Sequence, residues 1–146
     1  MRVNVIPAHN YEGSPIELYF GEAKRNLEMS KAISGKLTTD SFPANAVATD
    51  ISNEVNYDLT IYLHGDKEKS FLAFNPAAKD YAEYIYQWLD QVVPMNGMVM
   101  TEQMAELATN VPTAMVVIQH EQPLDTVASA LAYSLSILSN KRRSSQ

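Results

Sequence analysis

Short apolar runs that alternate with stretches of helical periodicity predict an α/β fold, with three layers (α/β/α) around a mixed, mostly parallel sheet. Two further observations support that class. The 146 residues are 46% hydrophobic and 19% charged, a composition that suits one globular domain with its own core. No stretch reaches the ~18 consecutive apolar residues of a membrane span, so the apolar runs belong to that core and no membrane insertion is expected.

Taken in order, Val3, Val5 and Ile6 mark a first strand over residues 2–6, followed by a loop over 7–15 that begins and ends on proline. A helix is expected over 18–34, burying Ala23, Leu27, Ser30 and Ile33 at spacings of three and four, and Gly35 is expected to stop it. Residues 46–48 read as a weak strand, and the polar residues 50–57 as a link too short for a good helix. Leu59, Ile61 and Leu63 define a stronger strand over 59–63, and residues 70–74 another. The clearest amphipathic helix spans 77–93, with Tyr81, Ile85, Trp88, Leu89 and Val92 on one face. Residues 98–100 and Leu107 read as short strand pieces, 113–118 as a buried strand, and 124–138 as a closing helix introduced by Pro123. The expected organisation is one domain over 1–140 with a disordered, Ser-rich tail over 141–146.

Charge and cysteine content narrow the chemistry. A formal net charge of -6 argues against nucleic-acid binding, which needs a basic face. The basic run Lys141, Arg142 and Arg143 reads as a solvated end. With no cysteine there are no disulfides or thiolate metal sites, so any metal is held by nitrogen and oxygen ligands. The first residues make a strand and not the longer apolar core of a secretory signal, so the chain is expected to carry no export signal of its own.

Three residues have the character of such ligands. His9 follows the first strand, Glu22 is expected in the first turn of the first helix, and His64 closes the run 59–63. Two imidazoles and a carboxylate are what a catalytic zinc site uses, because three protein ligands leave a fourth position open for water. Zn2+ is therefore the expected cofactor. Glu22 would also face the positive end of the helix dipole. Asp58 reads as a structural residue that orients a ligand histidine or caps a turn.

The order of these pieces resembles the zinc-dependent N-acetylmuramoyl-L-alanine amidases of the amidase 3 family over nearly the whole chain. Pro7-Ala8-His9-Asn10 stands where that family has a strand-ending Gly-His-Gly with its first ligand, and Gly21-Glu22-Ala23 is similar to its helix start with the second. Asp58 and His64 match the spacing of the segment that delivers the third, and residues 107–117 look like its Pro-led strand ending on a catalytic glutamate. The resemblance implies hydrolysis of the amide between N-acetylmuramic acid and L-alanine, with peptidoglycan or a muropeptide as the partner. Action at the cell wall is implied as well, after a cytoplasmic stage that ends by lysis or another release.

At the family's glutamate position this chain has Val117, which neither takes nor gives a proton. If the strand stays extended, Gln119 and Glu121 point to the same side as Val117, and Glu121 becomes the displaced catalytic base about 7 Å further along. His120 and Gln119 are then candidates for contacting substrate. The alternative is a catalytically impaired, amidase-like protein that binds metal or peptidoglycan and regulates.

Overall fold

The computed structural model describes residues 3–7, 17–37, 47–48 and 58–144. The elements are β1 (Val3–Pro7), α1 (Glu17–Leu37), β2 (Val47–Ala48), β3 (Leu59–Asp66), β4 (Phe71–Phe74), α2 (Lys79–Leu89), β5 (Met98–Met100), β6 (Thr113–Gln119) and α3 (Leu124–Ser144). Short 3₁₀ turns occupy Pro76–Ala78 and Ala105–Leu107. The strands form one sheet in the order β2-β1-β3-β6-β4-β5, parallel except where β4 runs against β6. The α/β class and the mixed, mostly parallel sheet are thus as expected.

Alternation along the strands sends two different sets of side chains to the two faces. Val3 and Val5, Leu59, Ile61 and Leu63, Leu72 and Phe74, and Ala114, Val116 and Ile118 share one face. There they pack against Met29 and Ile33 of α1, Ile85 and Leu89 of α2, and Leu131 and Leu135 of α3. Each fully buried Leu or Ile in this layer contributes roughly 1.5–3 kcal/mol relative to exposure. The opposite face carries Tyr62, His64, Phe71, Ala73, Met115 and Val117. Leu107 covers part of it, closing a second, smaller cluster with Ala73, Met115, Val117, Tyr62 and Phe71.

Several boundaries differ from those read in the sequence. Helix α1 passes through Gly35 and ends at Leu37; among the described glycines a positive φ occurs at Gly97, so Gly35 is an ordinary helical position. Strand β3 runs on to Asp66 because its ladder with β6 continues to the Asp66 and Gln119 pair, which puts His64 inside the strand and not at its end. The predicted helix over 77–93 is a 3₁₀ turn followed by α2, whose bonding continues beyond Leu89 as Asp90 and Val93 N–H donate to Tyr86 and Leu89 carbonyls. Leu107 is in a 3₁₀ turn and not a strand, since it is one apolar residue among exposed ones and has a cluster to plug. Helix α3 continues to Ser144, so residues 141–144 extend a helix where a tail was expected.

One buried polar residue fixes the approach of the 105–107 turn to the sheet. Asn75, fully buried after β4, donates through Nδ2 to the carbonyls of Thr109 (3.1 Å) and Val111 (2.8 Å). Its Oδ1 accepts the Thr113 N–H at 3.0 Å, and Asn75 N–H donates to the Thr113 carbonyl at 3.1 Å. The segment leading into β6 is thereby tied to the end of β4, and Leu107 is held over the second cluster.

Candidate functional site

The central strand β3 lies between β1 and β6, and it presents Tyr62 and His64 on the face away from the three helices. His64 pairs in register with Val117 of β6, and Pro7 of β1 pairs with Leu63. The position where the resemblance placed a glutamate is therefore directly beside His64. Val117 fills it as an apolar residue, only 4% exposed, packed in the second cluster.

A carboxylate reaches this place from elsewhere. Glu106, in the 105–107 turn next to the buried plug Leu107, brings Oε2 to 2.9 Å and Oε1 to 3.2 Å from His64 Nε2. The His64 side chain is 14% exposed and that of Glu106 34%, so the pair sits at the rim of the face with the carboxylate toward solvent. Burial, and then the negative charge of Glu106, hold the Tyr62 hydroxyl above the usual tyrosine range. Tyr62, His64 and Glu106 thus form one polar group at the edge of an apolar cluster. Sequence reasoning missed Glu106: it lies 42 residues from His64, on a segment with no period of its own.

The other expected site residues fall as follows. His9 lies outside the described residues, although it follows Pro7 by two positions, a reach of at most about 7 Å from the strand end beside Leu63. Glu22 is in α1, whose first residue is Glu17, and so it occupies the second turn and not the first, where the dipole acts less. Its side chain is outside the described residues. Asp58 precedes β3, six residues before His64, which is about 20 Å along an extended strand; it cannot orient that ring.

After β6 the chain does not stay extended. The strand ends at Gln119, and the Gln122 N–H closes a turn on the Gln119 carbonyl at 3.1 Å, while His120 N–H donates to the Asp66 carbonyl at 2.9 Å. The Gln119 side chain holds this turn, with Nε2 donating to the Lys67 carbonyl (3.2 Å) and Oε1 accepting the Glu121 N–H (2.9 Å). Arg25 of α1 adds a hydrogen bond from its guanidinium to the Gln122 carbonyl, and its partial burial lowers its pKa. Glu121 is exposed on the turn, and does not share the Val117 face by strand alternation. His120 is partly buried, and its Nε2 is enclosed with no hydrogen-bond partner among the described residues. Asp66 accepts the N–H groups of Glu68 (2.8 Å) and Lys69 (3.0 Å), which hold its carboxyl below the usual range.

A metal is tested by the donor set. Among the described residues no three His, Asp or Glu side chains converge as metal ligands. His64 and Glu106 do supply an imidazole nitrogen and a carboxylate within 2.9 Å, at the strand end from which the His9 segment departs, and with no cysteine the donors are those of a nitrogen and oxygen site. Of the three residues expected to hold zinc, His64 is the one whose side chain is among the described residues, and an imidazole is a donor that such an ion takes.

No protein-family model matches the chain, and no curated protein matches it in sequence. The fold has solved counterparts. It is similar to the catalytic domain of CwlV, an N-acetylmuramoyl-L-alanine amidase from Bacillus (Paenibacillus) polymyxa var. colistinus, with TM-score 0.67 and 11% identity over 94% of this chain and 98% of that one. It is similar as well to the N-acetylmuramoyl-L-alanine amidase AmiC2 of Nostoc punctiforme (TM-score 0.67, 15% identity, 94% and 96% covered). A third is the catalytic domain of the CD27L endolysin targeting Clostridia Difficile (TM-score 0.67, 12% identity, 92% and 96% covered). At these identities the likeness is one of fold, and it spans nearly the whole chain.

Proposed function

We propose that this protein is a zinc-dependent peptidoglycan hydrolase that cleaves the amide between N-acetylmuramic acid and L-alanine. The observation that carries the proposal is His64 on the central strand, paired with the Glu106 carboxylate at 2.9 Å, within the fold of amidase catalytic domains. His9, Glu22 and His64 are the proposed ligands. When bound, zinc supplies a water of near-neutral pKa and polarises the scissile carbonyl.

The chain's own groups do the rest. The exposed Glu121 carboxylate, on the turn that Gln119 and Arg25 secure, is the proposed group that takes the proton of the attacking water and returns it to the leaving amine. Gln119 secures that turn through one hydrogen bond at each end of its amide, and its second N–H and second lone pair, with His120, are the proposed substrate contacts. The apolar Tyr62, Phe71 and Val117 surface limits the water that reaches His64 from below. No helix among the described residues is long and apolar enough to cross a membrane.

The test is elemental analysis of the purified protein beside release of free L-alanine amino termini from muropeptides. One zinc per chain with release, both lost in His64→Ala, is the expected result. Zinc without release selects a binding protein, and no metal in the wild type overturns the proposal.

A further inference from the structure

We propose that the outer edge of β5 is the two-fold interface of a homodimer, in which Met98–Met100 of two copies pair antiparallel and the two sheets join into one. The proposal stands apart from the chemistry of the His64 site, since β5 lies three strands from β3, about 14 Å across the sheet.

Strand β5 ends the strand order, and its inner side is engaged. The Leu72 N–H donates to the Gly97 carbonyl at 3.2 Å, and the Thr101 N–H to the Phe74 carbonyl at 2.9 Å. Because successive residues of a strand bond to opposite sides, Met98 and Met100 turn their N–H and C=O groups to the open edge. The side chains there are exposed as well, Met98 by 41%, Val99 by 46% and Met100 by 53%. Sheet edges of this kind are usually blunted by charge or by proline in the strand. Here no charged residue lies between Asp90 and Glu102, and Pro94 precedes the strand by four positions. The internal segments outside the described residues connect β1, α1, β2 or β3, and the sheet sets β6 and β4 between those strands and β5.

What identifies the occupant as a second copy is that the edge complements itself. An antiparallel pair centred on Val99 sets Met98 of one protomer against Met100 of its partner, and the reverse. Each pair exchanges two hydrogen bonds, so the outward N–H and C=O groups of both methionines are satisfied at once. The strand reads Met-Val-Met in either direction, so like side chains meet. Met98 and Met100, in register with Leu72 and Phe74, form one apolar patch with their copies on the helix side. Val99, in register with Ala73, meets its copy on the other side at the position where opposed Cβ atoms stand about 4.5–5.5 Å apart. Such an isologous pairing closes on itself and leaves no further edge of this kind open.

Charge agrees with the direction. Lys69, its ammonium 5.4 Å from the Phe71 ring, adjoins Ser70, whose N–H and C=O both bond to Asn96. Glu102 follows the other end of the strand. Antiparallel pairing about Val99 sets Glu102 of each protomer opposite Asn96 of the other, on the side of Lys69, whereas a parallel pair would bring like ends together.

Sedimentation velocity of the purified chain, over a concentration series up to the millimolar range, tests this. The wild type should shift from the mass of one chain to that of two. Val99→Lys and Val99→Glu each place like charges directly across the axis and should weaken dimerisation by about 10- to 100-fold, while an equimolar mixture of the two should restore the dimer. A wild type that stays monomeric at every concentration, a dimer unaffected in both single variants, or a mixture that gains no dimer overturns the proposal. Should the charged variants fail to fold, Val99→Cys decides, since the chain has no other cysteine. With diamide as oxidant it should crosslink into dimers faster than Gln87→Cys, on the exposed side of α2, and equal rates would overturn the two-fold pairing.

Discussion

Replacing Asn75 should damage both stability and the site, and the size of the effect follows from what each of its bonds leaves behind. In Asn75→Ala the Val111 carbonyl keeps the Thr113 hydroxyl at 2.8 Å, and the Thr109 carbonyl belongs to an exposed residue that water can reach. The Thr113 N–H is the group stranded in a buried strand start, at about 1–3 kcal/mol, and the vacated side chain adds a small cavity. A total of about 3 kcal/mol corresponds to a fall in Tm of roughly 6 to 12 °C for a chain of this size. Asn75→Asp separates hydrogen bonding from volume: the carboxylate still accepts the Thr113 N–H but faces two carbonyl oxygens where the amide donated, so it should be at least as harmful as Ala. Calorimetric melting of the three proteins is the assay. A loss below about 1 kcal/mol in Ala, or near wild-type stability in Asp, would refute the clamp.

Glu121→Gln should keep zinc and Tm while the rate of muropeptide cleavage falls by about 10² to 10⁴, the usual cost of losing an acid/base group; full activity would return Glu121 to a surface role. Since the folded state holds the Tyr62 hydroxyl above its ordinary value, the stability it contributes is present below about pH 10 and is lost as pH rises through the elevated folded pKa. Tyr62→Phe should therefore flatten the alkaline decline in urea midpoint, and parallel curves for the two proteins would count against the burial of that hydroxyl.

The parts of this molecule legible in its sequence are those governed by local periodicity. The run Leu59, Ile61 and Leu63 announced a strand with one buried face, and Ile85 and Leu89 a helix with one buried stripe; both faces met in the core. His64 was visible because it closes that run, although its place inside the strand, on the face opposite Leu63, was not. What escaped was set by contacts between distant segments. The end of β3 depended on its pairing with β6, which carries the ladder past His64 to Asp66. Leu107 was misread because a lone apolar residue between exposed ones has no period, and its structure comes from the cluster it closes. Glu106 travels with Leu107, so no spacing rule could connect it with His64. Extension beyond Gln119 was lost to local hydrogen bonding, where the Gln119 amide captures the Glu121 N–H and a turn competes with the strand.

The packing of Val117 beside His64 can be tested by placing a carboxylate there. Val117→Glu restores the residue the amidase resemblance calls for, yet the structure argues that it will not restore a site. Val117 is 4% exposed, in register with His64 and Phe71, and packed with Leu107 and Met115. A carboxylate there either ionises in an apolar cluster or raises its pKa by several units, and at 1.36 kcal/mol per unit the cost is roughly 3–5 kcal/mol. It also stands on the face that Glu106 approaches, so two negative charges would compete for His64. The single variant should therefore melt well below the wild type and cleave no faster. Val117→Glu combined with Glu106→Gln removes the like-charge term and should regain part of the loss. Urea unfolding of the four proteins of this cycle measures the coupling between the two positions. Additive effects, or a Val117→Glu protein as stable as the wild type, would show that Val117 borders an open groove instead of a packed cluster.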